Sequence, residues 1–287
     1  MSFRFDRFAT LYLFNPLRSH ELGDKRSIPI LMYHSISDDA EMGVHPYYQT
    51  ATSPQRFALQ MKYLRDSGYR TGSPGEIAAQ LQTNAEIANK TVVITFDDGF
   101  RDFYHGAFPV LNECGFGATV FLPTAYIGDD PVSFKGRDCL TWAEVRELRK
   151  HGILFGSHTV THPQLRDLTA LAINEEITNS KNTIEQELGC AADSFAYPYA
   201  FPQTDAGFIS MLRDTLRKAG YQSGVCTTVG RANRKSEPLF MERLPVNSWD
   251  DPALFHAKLA GAYDWVSKSQ YVAKTGKAFL RNAFQRG

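Results

Sequence analysis

Two short stretches carry groups that bind metals and move protons: TFDDGF, with Asp97 and Asp98, and SHTVTH, with His158 and His162. Adjacent carboxylates at the end of an apolar run repel each other near a low-dielectric interior. A cation beside them removes that conflict, and Gly99 allows the sharp turn that brings both acids to one side. The alternative is an Asp-Gly turn with two solvated acids. His158 and His162 lie four residues apart. On a helix or helical turn both imidazoles then share a side, a spacing that recurs in metal sites. The alternative is two unrelated surface histidines. Two histidines and one carboxylate leave coordination positions for water and substrate, which a hydrolytic metal site needs.

Each stretch follows a run that reads as a buried strand: residues 91–96 (TVVITF) before Asp97, and 153–156 before His158. Further strands are expected at 28–33, 118–122, around Phe195 and Val225, and at 240–246. Helices are expected at 54–67, 103–114, 141–150, 171–188 and 207–219. The first has Ser53 as N-cap and Pro54 at the first helical position; the third has a Thr141–Glu144 capping box. Residues 35–53 are polar without a period and read as a long loop. Strand–helix alternation argues for a parallel sheet, open or closed into a barrel, with chemistry at the carboxyl ends of its strands. Asp97, Asp98 and His158 fall there.

TFDDGF followed by SHTVTH resembles the two leading motifs of the polysaccharide deacetylase family, carbohydrate esterase family 4, over about residues 28–250. The resemblance implies an α/β fold, a distorted (β/α) barrel of about seven parallel strands in a single domain. It implies one divalent metal ion, usually zinc, with Co²⁺, Ni²⁺ or Mn²⁺ as alternatives. It implies Asp98, His158 and His162 as ligands and Asp97 as general base. SFAYPYAFP resembles the family's R-x-P-Y-G segment at Pro198 and Tyr199, and the Tyr199 backbone N–H is then an oxyanion donor. Ala196 stands where the family has an arginine that orients the base, and Ala200 where it has glycine. Arg243, in MERLPV, is a candidate substitute for that arginine; a surface arginine near a strand end is the other reading. No D-x-x-D-W follows Tyr221, and no L-x-L-H, the usual source of a histidine acid, occurs near the C-terminus. The run ILMYHSI resembles a circularly permuted branch that deacetylates poly-N-acetylglucosamine, which makes His34 the general acid. A structural histidine is the alternative for His34, and His256 is a weaker candidate acid.

The implied reaction removes N-acetyl groups from an N-acetylhexosamine-containing poly- or oligosaccharide in exopolysaccharide or cell-envelope metabolism. Asp97 takes a proton from water and His34 protonates the leaving amine. An O-acetyl esterase, a small-amide hydrolase and a noncatalytic glycan-binding relative stay open. Residues 35–53 (His45, Tyr47, Tyr48) and 121–139 (Tyr126, Phe134, Lys135) are expected to border the cleft. Trp142 and Trp249 are open between core and sugar contact.

Thirty-one basic and 31 acidic residues cancel, which gives no electrostatic reason to expect nucleic acid as a partner. Cys114, Cys139, Cys190 and Cys226 form no CxxC pair, so buried free thiols are expected, with one disulfide as the alternative. No run of about 18 apolar residues suggests a transmembrane helix. Residues 1–27 read as an amphipathic segment before a 28–287 barrel domain with C-terminal helices. Phe3, Phe5, Phe8, Leu11, Tyr12 and Phe14, beside Arg4, Arg7 and Arg18, suit either docking on the domain or peripheral membrane contact through residues 3–14. The segment lacks the pattern of a signal peptide, which makes a cytoplasmic location the expectation.

Overall fold

The computed structural model describes residues 3–17, 27–39, 41–83, 88–267 and 269–271. Seven parallel strands close a barrel in chain order: β1 (Ile30–Tyr33), β2 (Thr91–Phe96), β3 (Thr119–Leu122), β4 (Leu154–Ser157), β5 (Ser194–Ala196), β6 (Ser223–Val229) and β7 (Met241–Pro245). β1 completes the ring by pairing with both β7 and β2. A continuous helical stretch runs from Phe5 to Leu17, and the helices that follow are α1 (Pro54–Asp66), α2 (Pro74–Thr83), α3 (Phe108–Cys114), α4 (Trp142–Lys150), α5 (Ala170–Leu188), α6 (Ala206–Lys218) and α7 (Pro252–Ala260). The expected strands and helices all form, and α3 is preceded by a wider turn, Phe103–Ala107. A short strand, Arg70–Gly72, and α2 were not foreseen; the strand pairs with the first half of β2. Residues 35–53 are mainly loop, with one short ladder between Ser35–Ile36 and Ala51–Thr52.

Strand alternation sorts the side chains into two layers. Ile30, Val93, Phe121, Ala196, Val225 and Met241, from six of the seven strands, share one buried cluster inside the barrel. Their neighbours Leu31, Ile94, Val120 and Leu244 belong to the outer cluster, with Phe57 and Met61 of α1 and Val145 and Leu148 of α4. Gly156 of β4 is dictated by this packing. A Cβ there would lie 2.5 Å from Ser194 Oγ and 2.7 Å from the Phe121 ring.

Both predicted caps are present. Ser53 Oγ accepts from the Arg56 N–H, and Thr141 and Glu144 form the full capping box. Residues 3–17 lie against the end of the chain's described part. Arg4 pairs with Asp6 and Asp250, Arg7 with Asp251, and Phe14 stacks on Trp265 at 4.9 Å. Phe3, Phe5, Phe8 and Tyr12 stay exposed. Arg18, residues 18–26 and everything beyond 271 lie outside the described residues. Among the described residues no helix is long and apolar enough to cross a membrane. All four cysteines are free, with Cys139 and Cys226 buried.

Candidate active site

The register of β1 and β2 builds the first half of the site. Tyr33 pairs with Phe96, so the next residues, His34 and Asp97, emerge side by side at the carboxyl ends of their strands. His34 Nε2 lies 4.0 Å from Asp97 Oδ2. Alternation carries Val93, Thr95 and Asp97 to the inner face and would send Asp98 outward. Asp98 instead adopts φ +69° and Gly99 φ +61°, a left-handed turn that returns the second carboxylate to the cleft. That backbone costs a non-glycine residue about 1 kcal/mol, which Asp tolerates better than most.

Asp97 is held by Arg243. Nη1 and Nη2 donate to Oδ1 and Oδ2, each at 2.7 Å, in the bidentate geometry that makes such pairs strong. The guanidinium also donates to Cys226 O (3.1 Å) and Thr95 Oγ1 (3.1 Å) and is 1% exposed. It reaches Asp97 from β7, the strand on the other side of β1. Ala196, in the same inner layer, has no side chain to do so. Of the two readings of Arg243, the buried partner of Asp97 is the one observed. Burial alone would raise the Asp97 carboxyl, but Arg243 holds it below its ordinary value.

His158 follows β4, and its Nδ1 lies 2.8 Å from Ala196 O. A carbonyl can only accept, so Nδ1 carries the hydrogen and Nε2 presents its lone pair. Burial pushes His158 down to about 3, which keeps it neutral, as a ligand must be. His162 Nε2 lies 3.1 Å and His158 Nε2 3.7 Å from Asp98 Oδ1. One ligand atom each from Asp98, His158 and His162 falls within 4.8 Å of the others, and all three residues are buried. A borderline-soft divalent ion suits this set of two imidazole nitrogens and a carboxylate oxygen.

The helical turn expected for 158–162 is absent. The segment is a loop in which Thr159 (φ +70°) and His162 (φ +56°) are left-handed. Four residues at helical pitch would stack the rings side by side; here the chain doubles back instead. The His162 N–H donates to Thr159 Oγ1 (3.0 Å). Glu176 of α5 accepts from the N–H groups of Val160 and Thr161 and from Thr161 Oγ1.

Tyr199 completes the wall. Its ring lies 4.6 Å from that of His162, its carbonyl accepts from Thr227 Oγ1 at 2.8 Å, and its φ is +58°. His34, Asp97, Asp98, Phe100, His158 and His162 line one cleft of about 420 Å³ with Glu41, Thr50, Lys135, Arg137, Tyr199 and Thr227. Burial lowers His34, and the charges of Asp97 and Asp98 pull it partly back. Phe134 packs at 5.2 Å from His162 and stacks on Tyr126 at 4.2 Å. Lys135 does more than border the cleft: its Nζ donates to Asp98 Oδ2 at 3.1 Å and Oδ1 at 3.3 Å.

Other candidates lie elsewhere. His256 stacks on Tyr63 at 3.6 Å, within α7. His45, Tyr47 and Tyr48 pack on one another. Trp142 is buried, and Trp249 is half-exposed in a neighbouring groove that shares Glu41 with the cleft. Sequence reasoning missed Thr95, Thr227 and Glu41. Thr95 had a signal, since it alternates with Val93 and Asp97; Thr227, on β6, and Glu41, in the 35–53 loop, had none.

The model of the polysaccharide deacetylase family matches residues 84–224. YxkH of Bacillus subtilis (strain 168), named as a polysaccharide deacetylase, is 33% identical over 223 residues, 77% of this chain and 71% of YxkH. The poly-beta-1,6-N-acetyl-D-glucosamine N-deacetylase of Escherichia coli (strain K12) is 30% identical over 139 residues, 45% of this chain but only 20% of that enzyme. Among solved structures, the Streptococcus pyogenes deacetylase PplD, in complex with acetate, superposes with a TM-score of 0.71 at 26% identity over 81% of this chain and 98% of PplD.

Proposed function

The chain belongs to the polysaccharide deacetylase family, and on that premise we propose that it hydrolyses N-acetyl groups of a glycan containing N-acetylhexosamine, with one divalent metal ion, zinc, held by Asp98, His158 and His162. One observation carries the proposal. A buried Asp–His–His group and an arginine-held carboxylate, Asp97, open into the same cleft.

A divalent ion in such a group supplies a Lewis acid for the acyl carbonyl and acidifies water. Asp97 then accepts the proton of the attacking water. Its lowered proton affinity makes it a weak base, and the Arg243 fork keeps it in one orientation. The Tyr199 N–H donates to the developing oxyanion. His34 delivers a proton to the leaving amine, which an amide needs because its anion leaves poorly. His34 rests neutral at pH 7, since burial lowers it. Its proton therefore arrives during turnover, from the water by way of Asp97. The 4.0 Å between Nε2 and Oδ2 is a gap that a bridging water or the substrate spans.

That neutral resting state also favours a second reading, an O-acetyl esterase, because an alkoxide leaves with less help from an acid. Exposed Phe3, Phe5, Phe8 and Tyr12 support peripheral contact with a membrane surface as part of the proposal. Elemental analysis and acetate release, measured on one purified sample, test the reading. The expected result is one equivalent of zinc and faster acetate release from an N-acetylglucosamine oligomer than from an O-acetylated sugar. Preference for the O-acetyl substrate selects the esterase; neither metal nor acetate release removes the enzymatic reading.

A further inference from the structure

Lys135 belongs to no motif, yet its ammonium reaches the buried Asp98 carboxylate in the cleft. It sits at the tip of a hairpin whose strands, Ser133–Phe134 and Arg137–Asp138, pair antiparallel. Lys135 has φ +52° and Gly136 φ +77°. Two left-handed residues in a two-residue loop are the pattern of a type I′ turn, whose first position usually holds Asn, Asp or Gly. A lysine there bears strain that a short polar residue would avoid, and the strain persists only if something else fixes the conformation. What fixes it is on the cleft side. Nζ donates to both Asp98 oxygens and lies 4.6 Å from the Phe134 ring centroid and 5.4 Å from that of Tyr199.

Asp98 Oδ1 is also the oxygen nearest Nε2 of both His162 and His158. An ion held by the three residues and the lysine ammonium must therefore share one carboxylate. Two cations on one buried anion repel each other, and the low local dielectric strengthens that repulsion. Nζ and the ion thus meet at one carboxylate, so the competition is built into the geometry of the site.

We propose that Lys135 is a tethered cation that competes with the metal for Asp98 and weakens the site's hold on it. The inference rests on the metal-site reading above. The lysine also neutralises Asp98 when no ion does, so the two cations stabilise the same buried carboxylate in turn. Its side chain is 41% exposed, which leaves the ammonium room to move aside.

Zinc titration of the full chain, stripped with a chelator and read by competition with a chromophoric chelator, tests this. K135M keeps length and removes charge; K135R keeps charge. K135M is expected to bind Zn²⁺ about tenfold or more tighter than wild type, equivalent to about 1.4 kcal/mol per tenfold, with K135R close to wild type. The stripped K135M protein should also melt lower than stripped wild type and gain more from added zinc. Wild type and K135M within twofold of each other overturn the inference alone. K135R tightening as much as K135M also overturns it, because the cause would then be shape. Wild type that binds no zinc overturns this inference together with the metal-site reading.

Discussion

Two clusters of buried charge among the described residues behave differently. The cleft cluster holds Asp97, Asp98, His158, His162 and Arg243. The second lies beneath the N-terminal segment. There Lys258 donates to Asp250 Oδ2 (2.5 Å) and Pro245 O (2.6 Å), Arg4 pairs with Asp6 and Asp250, and the Tyr263 hydroxyl donates to Asp6 (2.7 Å). Both are as buried as the apolar core. In the second, each acid meets a base at close range, all four charged residues lie in the N-terminal segment or in or beside α7, and the cluster pins residues 3–17 to the barrel. In the cleft, two acids adjacent in sequence face two imidazoles, and the group opens to solvent space. Buried charge alone does not mark a functional site. An arrangement that sets imidazoles beside its acids and faces a cleft does.

The comparison can be broken by variants on either side. Asp97→Asn should cut kcat by about 10²- to 10⁴-fold, the usual contribution of a general base, while metal content stays at wild type. A folded, metal-loaded variant with unchanged kcat would remove Asp97 as base. In the other cluster, Lys258→Met should cost about 3 kcal/mol of stability by leaving Asp250 with only the longer Arg4 contact (3.5 Å). Activity per folded molecule should stay within about twofold, since nothing in that cluster lines the cleft. Denaturant unfolding and kinetics on the same sample separate the two effects, and a purely kinetic defect would erase the distinction.

Acid sharpens the comparison further. In metal-free protein His158, pushed down to about 3, is neutral while the unfolded chain's histidine protonates near 6.5. Between those values the unfolded state binds more protons, so stability rises with pH. Tm should therefore fall as pH drops from about 6.5 toward 3. Asp97 and Asp98, both held below the ordinary carboxylate value, add losses of the same sign at the acid end. His158→Gln should flatten the upper part of the slope; an unchanged slope would place the titration elsewhere. The smallest effect belongs to Arg7→Ala. Its pair with Asp251 is about one-third exposed, and its loss should cost about 1 kcal/mol or less in chemical denaturation.

The four residues Asp97, Asp98, His158 and His162 were legible because each follows a strand recognisable from local pattern. TVVITF forms β2 at its expected residues, and residue types with steep chemical preferences stand at its end. Arg243 was legible only as a candidate, because whether an arginine on β7 points to solvent or to Asp97 depends on barrel closure. The SHTVTH spacing singled out two histidines that the structure does bring together beside Asp98, but not by helical pitch. Spacing reports neighbours at helical pitch, whereas Thr159 and His162 turn left-handed around Val160 and Thr161, whose N–H groups donate to Glu176.

Local sequence thus determined the strands, the caps and the residue types of the Asp98–His158–His162 group, since these depend on side-chain alternation and residue type within a few positions. Only the tertiary structure decided that β1 closes the ring beside β2, which brings His34 to Asp97 across 63 residues of chain. It also decided that a guanidinium from β7 holds Asp97 and that a hairpin lysine reaches Asp98. Those contacts join segments far apart in sequence, and their distances follow from strand register and barrel closure, which no short window of residues encodes.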